Sequence, residues 1–507
     1  MSESMFHIDE NCCGLEKDEV SDKKHLRRMT ISELGGAGRL YPRTTIEALP
    51  DDVLLETFEF YLDKDDADGF DYDHNYDGWR TLVHVCRRWR CIVFASPRRL
   101  DLKLLCTRQR SVNSKTLDIW PALPIVIFSQ EDMQFEEDVT NVISALRHHN
   151  RVCKIQYRKT WQFQDSFLEE FAAIDKPFPE LTSLELYSFG QNVPVLPDSF
   201  LGGSAPRLRS LDLDGIPYPS IGNLLSSTTN LVRLRLWDIP HSGCVAPETI
   251  VPCLSMLPTL ESLLLQFRYP RSRAQRESRH PPPLTRVVFP NLTFLYFGGD
   301  SEYLEDIVSQ IETPILDEGI FRFFNQLVFD TPLLGKFIRR TEKFTTIHTA
   351  RVQFFSENIL ITLPGLGETV RCDHVALCLA ISCEPLDWQL SALAQVLDSF
   401  LSSLKTVEGL KIEVYDKNLQ DEIEVIQWRE LLRPFTSVKH VTLDESARLI
   451  VPALQELAGE RATEVLPALQ DLFLTTRWPP SGPVKEGIEQ FIATRQLHGH
   501  PVTVHYY

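Results

Sequence analysis

The chain has no apolar run of about 18 residues or more, the length that a membrane-spanning helix needs. Its first residues contain acids where a secretory signal has a basic start and an apolar stretch. Its 11 cysteines include no Cys-x-x-Cys pair, which disfavours a structural zinc site and a disulfide framework. We therefore expect reduced thiols, no metal or other cofactor, no membrane partner, and a place in the cytoplasm, the nucleus or both.

The chain also lacks the excess of positive charge that binding to a phosphate backbone requires. The formal net charge is -18, which disfavours nucleic acid as a partner. The strongest basic segment is residues 268–286, with six arginines and three consecutive prolines. Its prolines predict an extended solvated loop, while contact with an acidic partner or RNA remains the alternative.

The 507 residues exceed what one hydrophobic core usually organises, so several domains or a repeat array are expected. Residues 1–44 are poor in apolar periodicity and predict a disordered leader. Residues 45–100 predict a small helical module, and residues 101–507 predict an α/β array.

Two helices are predicted in the N-terminal module. The first follows Pro50 and places apolar residues at helical spacing up to Leu62. Residues 63–78 then form an acidic insertion with seven aspartates, which predicts a solvated loop. The second helix is predicted from the apolar stripe between Trp79 and Trp89.

A unit of the form L-x-x-L-x-L recurs along the rest of the chain. Clear copies start 23 to 32 residues apart, near the spacing of leucine-rich repeats. The copies start at Val152, Leu181, Leu208, Leu231, Leu260, Leu292, Val407, Val438 and Leu469. Between residues 300 and 400 the pattern is degenerate, although residues 374–383 alternate like a strand and residues 387–404 have helical periodicity. This order of strand and helix predicts that stacked strand-helix units continue through the region.

Each copy predicts one strand whose apolar face must be buried against its neighbours, so the copies should stack into strand-helix units. Side chains alternate along a strand, so positions four and six point inward and positions three, five and seven point outward. Aromatic residues and arginines anchor many interfaces. The predicted target-binding residues are the outward residues Tyr187, Asp214, Arg233, Arg235 and Trp237.

Two acidic patterns match the spacing of motifs that carry chemistry, and each also has a purely structural explanation. Residues 73–78 have the spacing that opens a calcium-binding EF-hand loop, but His84 stands where the loop needs its final glutamate. Asp212 and Asp214 have the spacing of a haloacid-dehalogenase-like phosphatase, yet they fall on outward positions of a repeat strand. Neither a G-x-S-x-G nor a G-x-x-x-x-G-K motif occurs, so we expect a protein that is not an enzyme.

The stretch from Ile46 to Leu100 resembles the F-box: LPDDVLLETFEFYL, an acidic insertion, then WRTLVHVCRRWRCIVFASPRRL. The resemblance implies a helical bundle that docks a Skp-type adaptor, and through it a cullin ubiquitin ligase, mainly by apolar contacts. The residues that match the two motifs are Leu49, Pro50, Leu54, Leu55, Phe58, Val85, Cys86 and Trp89. The insertion departs from a compact F-box and puts the adaptor contact in question.

Residues 323–341 and 382–397 are similar to segments of F-box proteins with leucine-rich repeats from mushroom-forming fungi. This resemblance implies a substrate-recognition subunit of a Skp-cullin-F-box ubiquitin ligase, with the repeats binding an unidentified target protein. The competing interpretation is a leucine-rich-repeat scaffold that acts outside ubiquitination.

Overall fold

A computed structural model describes the chain in segments. They are residues 46–62, 78–107, 122–130, 140–159, 166–188, 190, 193–270, 285–345, 347–364, 375–383, 386–400, 404–415, 425–444, 447–456, 465–475 and 482–506. The predicted leader, most of the acidic insertion and most of the basic loop lie outside these residues.

The chain divides into two compact units, Met1–Thr57 and Phe58–Tyr507. The first unit contains a short 3-10 helix, Ile46–Ala48, and the start of helix α1, Asp51–Leu62. Pro50 precedes the helix and two aspartates occupy its first turn, where they face the positive end of the helix dipole. Helix α1 covers the predicted apolar positions from Val53 to Leu62.

The second predicted helix is two helices, α2 (Gly78–Val85) and α3 (Arg87–Ala95). The prediction of one continuous helix was wrong because Cys86 has extended backbone angles and caps α3. Its Sγ accepts a hydrogen bond from the Trp89 N–H at 3.4 Å. Trp89 of α3 packs against Phe58 of α1, with ring centroids 4.7 Å apart.

The rest of the second unit is a mixed α/β structure. Its strands are β1 (Leu104–Cys106), β2 (Ile125–Gln130), β3 (Val152–Lys159), β4 (Ser183–Ser188), β5 (Ser210–Asp214), β6 (Arg233–Ile239), β7 (Ser262–Phe267), β8 (Val287–Val288), β9 (Phe294–Gly299), β10 (Ile311–Glu312), β11 (Glu318–Phe323), β12 (Thr349–Phe354), β13 (Asn358–Pro364), β14 (Val375–Ser382), β15 (Gly409–Val414), β16 (His440–Leu443), β17 (Asp471–Leu474) and β18 (Thr503–Tyr506).

Helices connect many of these strands. They are α4 (Thr140–Leu146), α5 (Ser166–Ala172), α6 (Ile221–Leu225), α7 (Pro247–Ser255), α8 (Ser301–Gln310), α9 (Pro332–Arg340), α10 (Leu386–Asp398), α11 (Val425–Leu432), α12 (Ala447–Glu456) and α13 (Pro483–Leu497). Neighbouring helices pack on one another, as α8 does on α9 and α12 on α13.

Sixteen of the described strands form one sheet in the order β1-β2-β3-β4-β5-β6-β7-β9-β11-β14-β13-β12-β15-β16-β17-β18. Each of the nine predicted repeat copies coincides with a parallel strand, and the repeat leucines are stacked in register. Leu184, for example, pairs with Leu211, which pairs with Leu234. All three are fully buried, so the continuous apolar core expected from the repeat is present.

The degenerate region does not continue the strand-helix units. Strands β12, β13 and β14 form an antiparallel meander, in which β14 pairs with β11 and β12 pairs with β15. The prediction of uninterrupted strand-helix units was therefore wrong between residues 349 and 382. The meander keeps the core continuous, because Val352, Ile361 and Leu379 are all buried.

Candidate functional site

The outward side chains of strands β3 to β11 form a connected polar and aromatic surface. Tyr187, Asp214 and Trp237 are paired in register on β4, β5 and β6. Arg158 on β3 pairs with Tyr187. Four side chains therefore lie in a row at position seven of consecutive units, and three of them, on β4, β5 and β6, were predicted to share this face.

Arg235 lies at the centre of this surface and is held by two carboxylates. Its Nη1 donates to both oxygens of Asp212, at 3.1 and 3.0 Å, and its Nη2 lies 3.4 Å from Oδ2 of Asp214. The Tyr187 hydroxyl donates a third hydrogen bond to Asp212, at 2.8 Å. One nitrogen is thus shared between both oxygens of Asp212 while the other is directed to Asp214, and these charge-assisted contacts hold the guanidinium between the two carboxylates.

Aromatic rings alternate with guanidinium groups along the same surface. The Arg235 guanidinium lies 4.8 Å from the centroid of the Trp237 ring, and that ring lies 5.0 Å from Tyr296. At the two ends, Arg158 lies 5.0 Å from the Tyr187 ring and Arg322 lies 6.0 Å from the Tyr296 ring. These are cation-π distances, so the rings help to orient the arginines.

The carboxyl group of Asp214 has an unfavourable environment for its charge. Asp214 is only 6% exposed, and its Oδ1 has no hydrogen-bond partner among the described residues. Burial raises the pKa of this carboxyl from 3.8 to about 6, although the charge of Arg235 opposes the change. The folded protein therefore keeps a carboxylate at position seven at a cost in stability.

Replacement of Asp214 by asparagine is expected to stabilise the protein above about pH 6, by at most about 3 kcal/mol for a pKa change near two units. Between the unfolded and folded pKa values the folded state binds the extra proton, so the parent loses stability as pH rises through that window. The advantage of Asp214→Asn should vanish near pH 4. Chemical denaturation across this pH range measures the difference in free energy of unfolding between variant and parent. Asp175→Asn is the control, since Asp175 is exposed. A stabilisation by Asp214→Asn that grows as pH falls would contradict the raised pKa of Asp214.

The five target-binding residues predicted from the sequence divide into two groups. Tyr187, Asp214, Arg235 and Trp237 belong to the connected network, whereas Arg233 lies at position three of β6, is exposed and has no ion pair with a described residue. Arg158, Tyr296 and Arg322 were missed. Arg158 and Tyr296 stand at outward positions of predicted copies, so the same periodicity could have found them, but Arg322 belongs to no copy.

The eight residues that match the F-box motifs differ in exposure. Pro50, Val85 and Cys86 are exposed, and Leu49, Leu55 and Trp89 are half-buried. Leu54 and Phe58 are buried, which gives both residues a packing role in the free chain.

Of the two acidic motifs, one lies within the described residues and the other lies almost wholly outside them. Asp212 and Asp214 both contact Arg235, as outward residues of a strand. Of the EF-hand-like spacing, only Gly78 lies within the described residues. In the described part of the chain, no group of three His, Cys, Asp or Glu side chains could hold a metal ion.

The basic segment begins with Arg268, which forms an ion pair. Arg268 donates from Nε to Asp238 at 2.8 Å, while residues 271–284 lie outside the described residues. Within the described segments, no helix combines the length and the apolar character needed to cross a membrane.

The chain matches no protein-family model. No curated protein matches it either. The surface from β3 to β11 and the exposed apolar residues of the N-terminal helices are therefore the observations on which a functional proposal rests.

Proposed function

We propose that this chain is the substrate-recognition subunit of a Skp-cullin-F-box ubiquitin ligase. In this proposal the N-terminal helices are an F-box that docks a Skp-type adaptor. The parallel ladder is a leucine-rich-repeat-like solenoid that binds a target protein, and the protein works in the cytoplasm or the nucleus. The supporting observation is the exposure of large apolar side chains beside the matched motifs: Phe60 is 64% and Val85 is 56% exposed.

Exposed apolar groups of this size on short helices favour a protein partner, because burying them against another apolar surface removes them from water. In the second unit, α2 and α3 already bury their other apolar face, including Trp79 and Val83. Val85 and the exposed thiol of Cys86 remain outside that core. We therefore assign direct adaptor contact to Val85 and Cys86, and internal packing to Phe58.

The cysteines support the proposed compartment. None of the eight cysteines within the described residues belongs to a disulfide, and Cys106 and Cys383 are buried as small apolar side chains. Free thiols persist in the reducing cytosol and nucleus, whereas secreted proteins oxidise them.

The proposed mechanism is proximity rather than catalysis by this chain. A target held by the ladder and a ligase held by the F-box become parts of one assembly, so their encounter is effectively intramolecular. Effective concentrations of order millimolar are reached for linkers that suit the span.

Replacement of Val85 by aspartate is expected to reduce co-purification of a Skp-type adaptor by about tenfold or more, because an unpaired charge would be placed in an apolar contact. The measurement is a pull-down of purified adaptor on the full chain, with circular dichroism to verify folding. Val288→Asp is the matched control, since Val288 is 54% exposed and lies far along the chain in β8.

A parent protein that fails to bind any Skp-type adaptor would overturn the F-box assignment. The scaffold interpretation would then apply, because the ladder and its outward surface do not depend on the adaptor. Equal adaptor binding by the parent and Val85→Asp would exclude Val85 from the contact.

A further inference from the structure

Position seven is an arginine on β3 and again on β11, and the register continues beyond them to Gln130 of β2 and Ala380 of β14. Register pairing runs from Arg158 through Tyr187, Asp214 and Trp237 on one side. On the other side, Gln266 of β7 pairs with Gly298 of β9, which pairs with Arg322 of β11. The register shifts between β6 and β7 after Leu236, and Gly298 has no side chain. We call these seven strand positions, from Arg158 on β3 to Arg322 on β11, the position-seven row.

The two terminal arginines are available to a ligand. Arg158 and Arg322 are exposed, and neither forms an ion pair with a described residue. Each guanidinium lies beside a tyrosine ring, at 5.0 Å for Arg158 and 6.0 Å for Arg322. Because the rings restrict the side chains, less conformational entropy is lost when a ligand binds to them.

The acids of this surface do not cancel the terminal arginines. Asp212 and Asp214 are directed to Arg235, and Asp214 is buried. Glu185 of β4, whose charge also acts on Arg158, pairs with Lys154 at 4.0 Å. The accessible charge of the position-seven row is therefore positive, in a chain whose formal net charge is -18. A local cationic row on an acidic protein selects anionic groups over a short distance, since screening limits its range to about 10 Å.

We propose that the position-seven row binds an extended peptide segment whose anionic side chains pair with Arg158 and Arg322. Seven strands at a spacing of about 4.8 Å make the row roughly 29 Å long, which an extended peptide of about nine residues spans. A planar guanidinium matches carboxylate and phosphate groups in two-point hydrogen bonding. This inference rests on the proposed receptor role only in taking the peptide to be part of a target protein.

A single-stranded nucleic acid fits the row less well. Bases would need free aromatic faces for stacking. The Tyr187 ring has guanidinium groups at 5.0 and 5.8 Å, and the Trp237 ring has Arg235 at 4.8 Å and Tyr296 at 5.0 Å. The rings are therefore occupied by the protein itself.

The test measures fluorescence anisotropy of labelled peptide pools on the purified full chain. One pool has peptides of about nine residues with glutamate near both ends and mixed residues between, and a second pool replaces both glutamates by glutamine. A third pool carries phosphoserine at the same places and separates phosphate from carboxylate recognition. The anionic pools are expected to bind at least about tenfold more tightly than the glutamine pool.

Arg158→Ala and Arg322→Ala are each expected to weaken anionic peptide binding by about tenfold, because each removes one charge-assisted pair. Arg209→Ala is the matched control, since Arg209 is exposed, has no ion pair with a described residue and lies just before β5. Both row variants should unfold at the temperature of the parent.

Equal binding of the anionic and glutamine pools would overturn the proposal, as would no binding of any pool or anionic binding that both row variants leave unchanged. Tighter binding of a single-stranded oligonucleotide that abolishes peptide binding would overturn it in favour of nucleic acid. The assay contains no adaptor, and Val85→Asp should bind the anionic pool normally. Failure here is therefore distinguishable from failure of the adaptor assignment.

Discussion

Replacement of Gly215 by alanine is expected to lower the free energy of unfolding of the second unit by about 3–5 kcal/mol. Gly215 follows β5 directly and has a φ of +69°, a conformation that costs an L-residue about 1–2 kcal/mol. A Cβ at this position would lie 2.1 Å from the carbonyl oxygen of Ser188. A main-chain atom cannot rotate away, so β4 and β5 would have to separate locally.

Gly203 provides the matched control for this change. Its φ is +63°, and a Cβ there would meet nothing within 4 Å. Gly203→Ala should therefore cost only the conformational part, about 1–2 kcal/mol. Chemical denaturation of both variants measures the difference, and equal losses would show that β4 and β5 can accommodate the methyl group without cost.

Replacement of Arg235 by methionine is expected to destabilise the second unit by about 3–5 kcal/mol, because it leaves two poorly solvated carboxylates without their cation. Asp212 would keep only the hydrogen bond from Tyr187, and Asp214 already has one oxygen without a partner among the described residues. Methionine fills much of the volume of the arginine stem, so lost packing contributes little.

The pH dependence of this variant separates lost charge pairing from lost packing. Arg235 is the nearest cation that lowers the pKa of Asp214, so its removal should raise that pKa above about 6. A folded pKa above the unfolded value means that stability falls as pH rises between them. The loss of stability in Arg235→Met, relative to the parent, should therefore be larger near pH 8 than near pH 5. Thermal unfolding of both proteins at these two pH values measures it.

A rescue variant completes this test. Changing Asp212 and Asp214 to asparagine in the Arg235→Met background removes both charges and keeps the hydrogen bond from Tyr187. This triple variant is expected to recover about half or more of the lost stability. No recovery, together with a deficit that does not change with pH, would assign the effect to packing.

Local pattern was enough to predict most of the ladder. Each of the nine L-x-x-L-x-L copies coincides with a strand, because the period of two places leucines on one face regardless of neighbours. The same alternation predicted that Tyr187, Asp214 and Trp237 share a face. The amphipathic periodicity of residues 387–404 similarly predicted α10, Leu386–Asp398.

Local pattern was not enough where direction or pairing depends on distant residues. The segments of β12 and β13 alternate as strands do, but nothing local states that β13 runs antiparallel or that β14 returns beside β11. The break at Cys86 was also missed, because a thiol that caps a helix looks like one more apolar residue in a stripe.

The sequence by itself determined that a stack of strands exists and which side chains face outward from it. Only the tertiary structure decided that Arg235 joins two aspartates from a neighbouring strand, and that Arg158 and Arg322 end the same row. The reason is that alternation is a property of each strand alone. Register between strands is instead set by the packing of the whole core, which no single segment encodes.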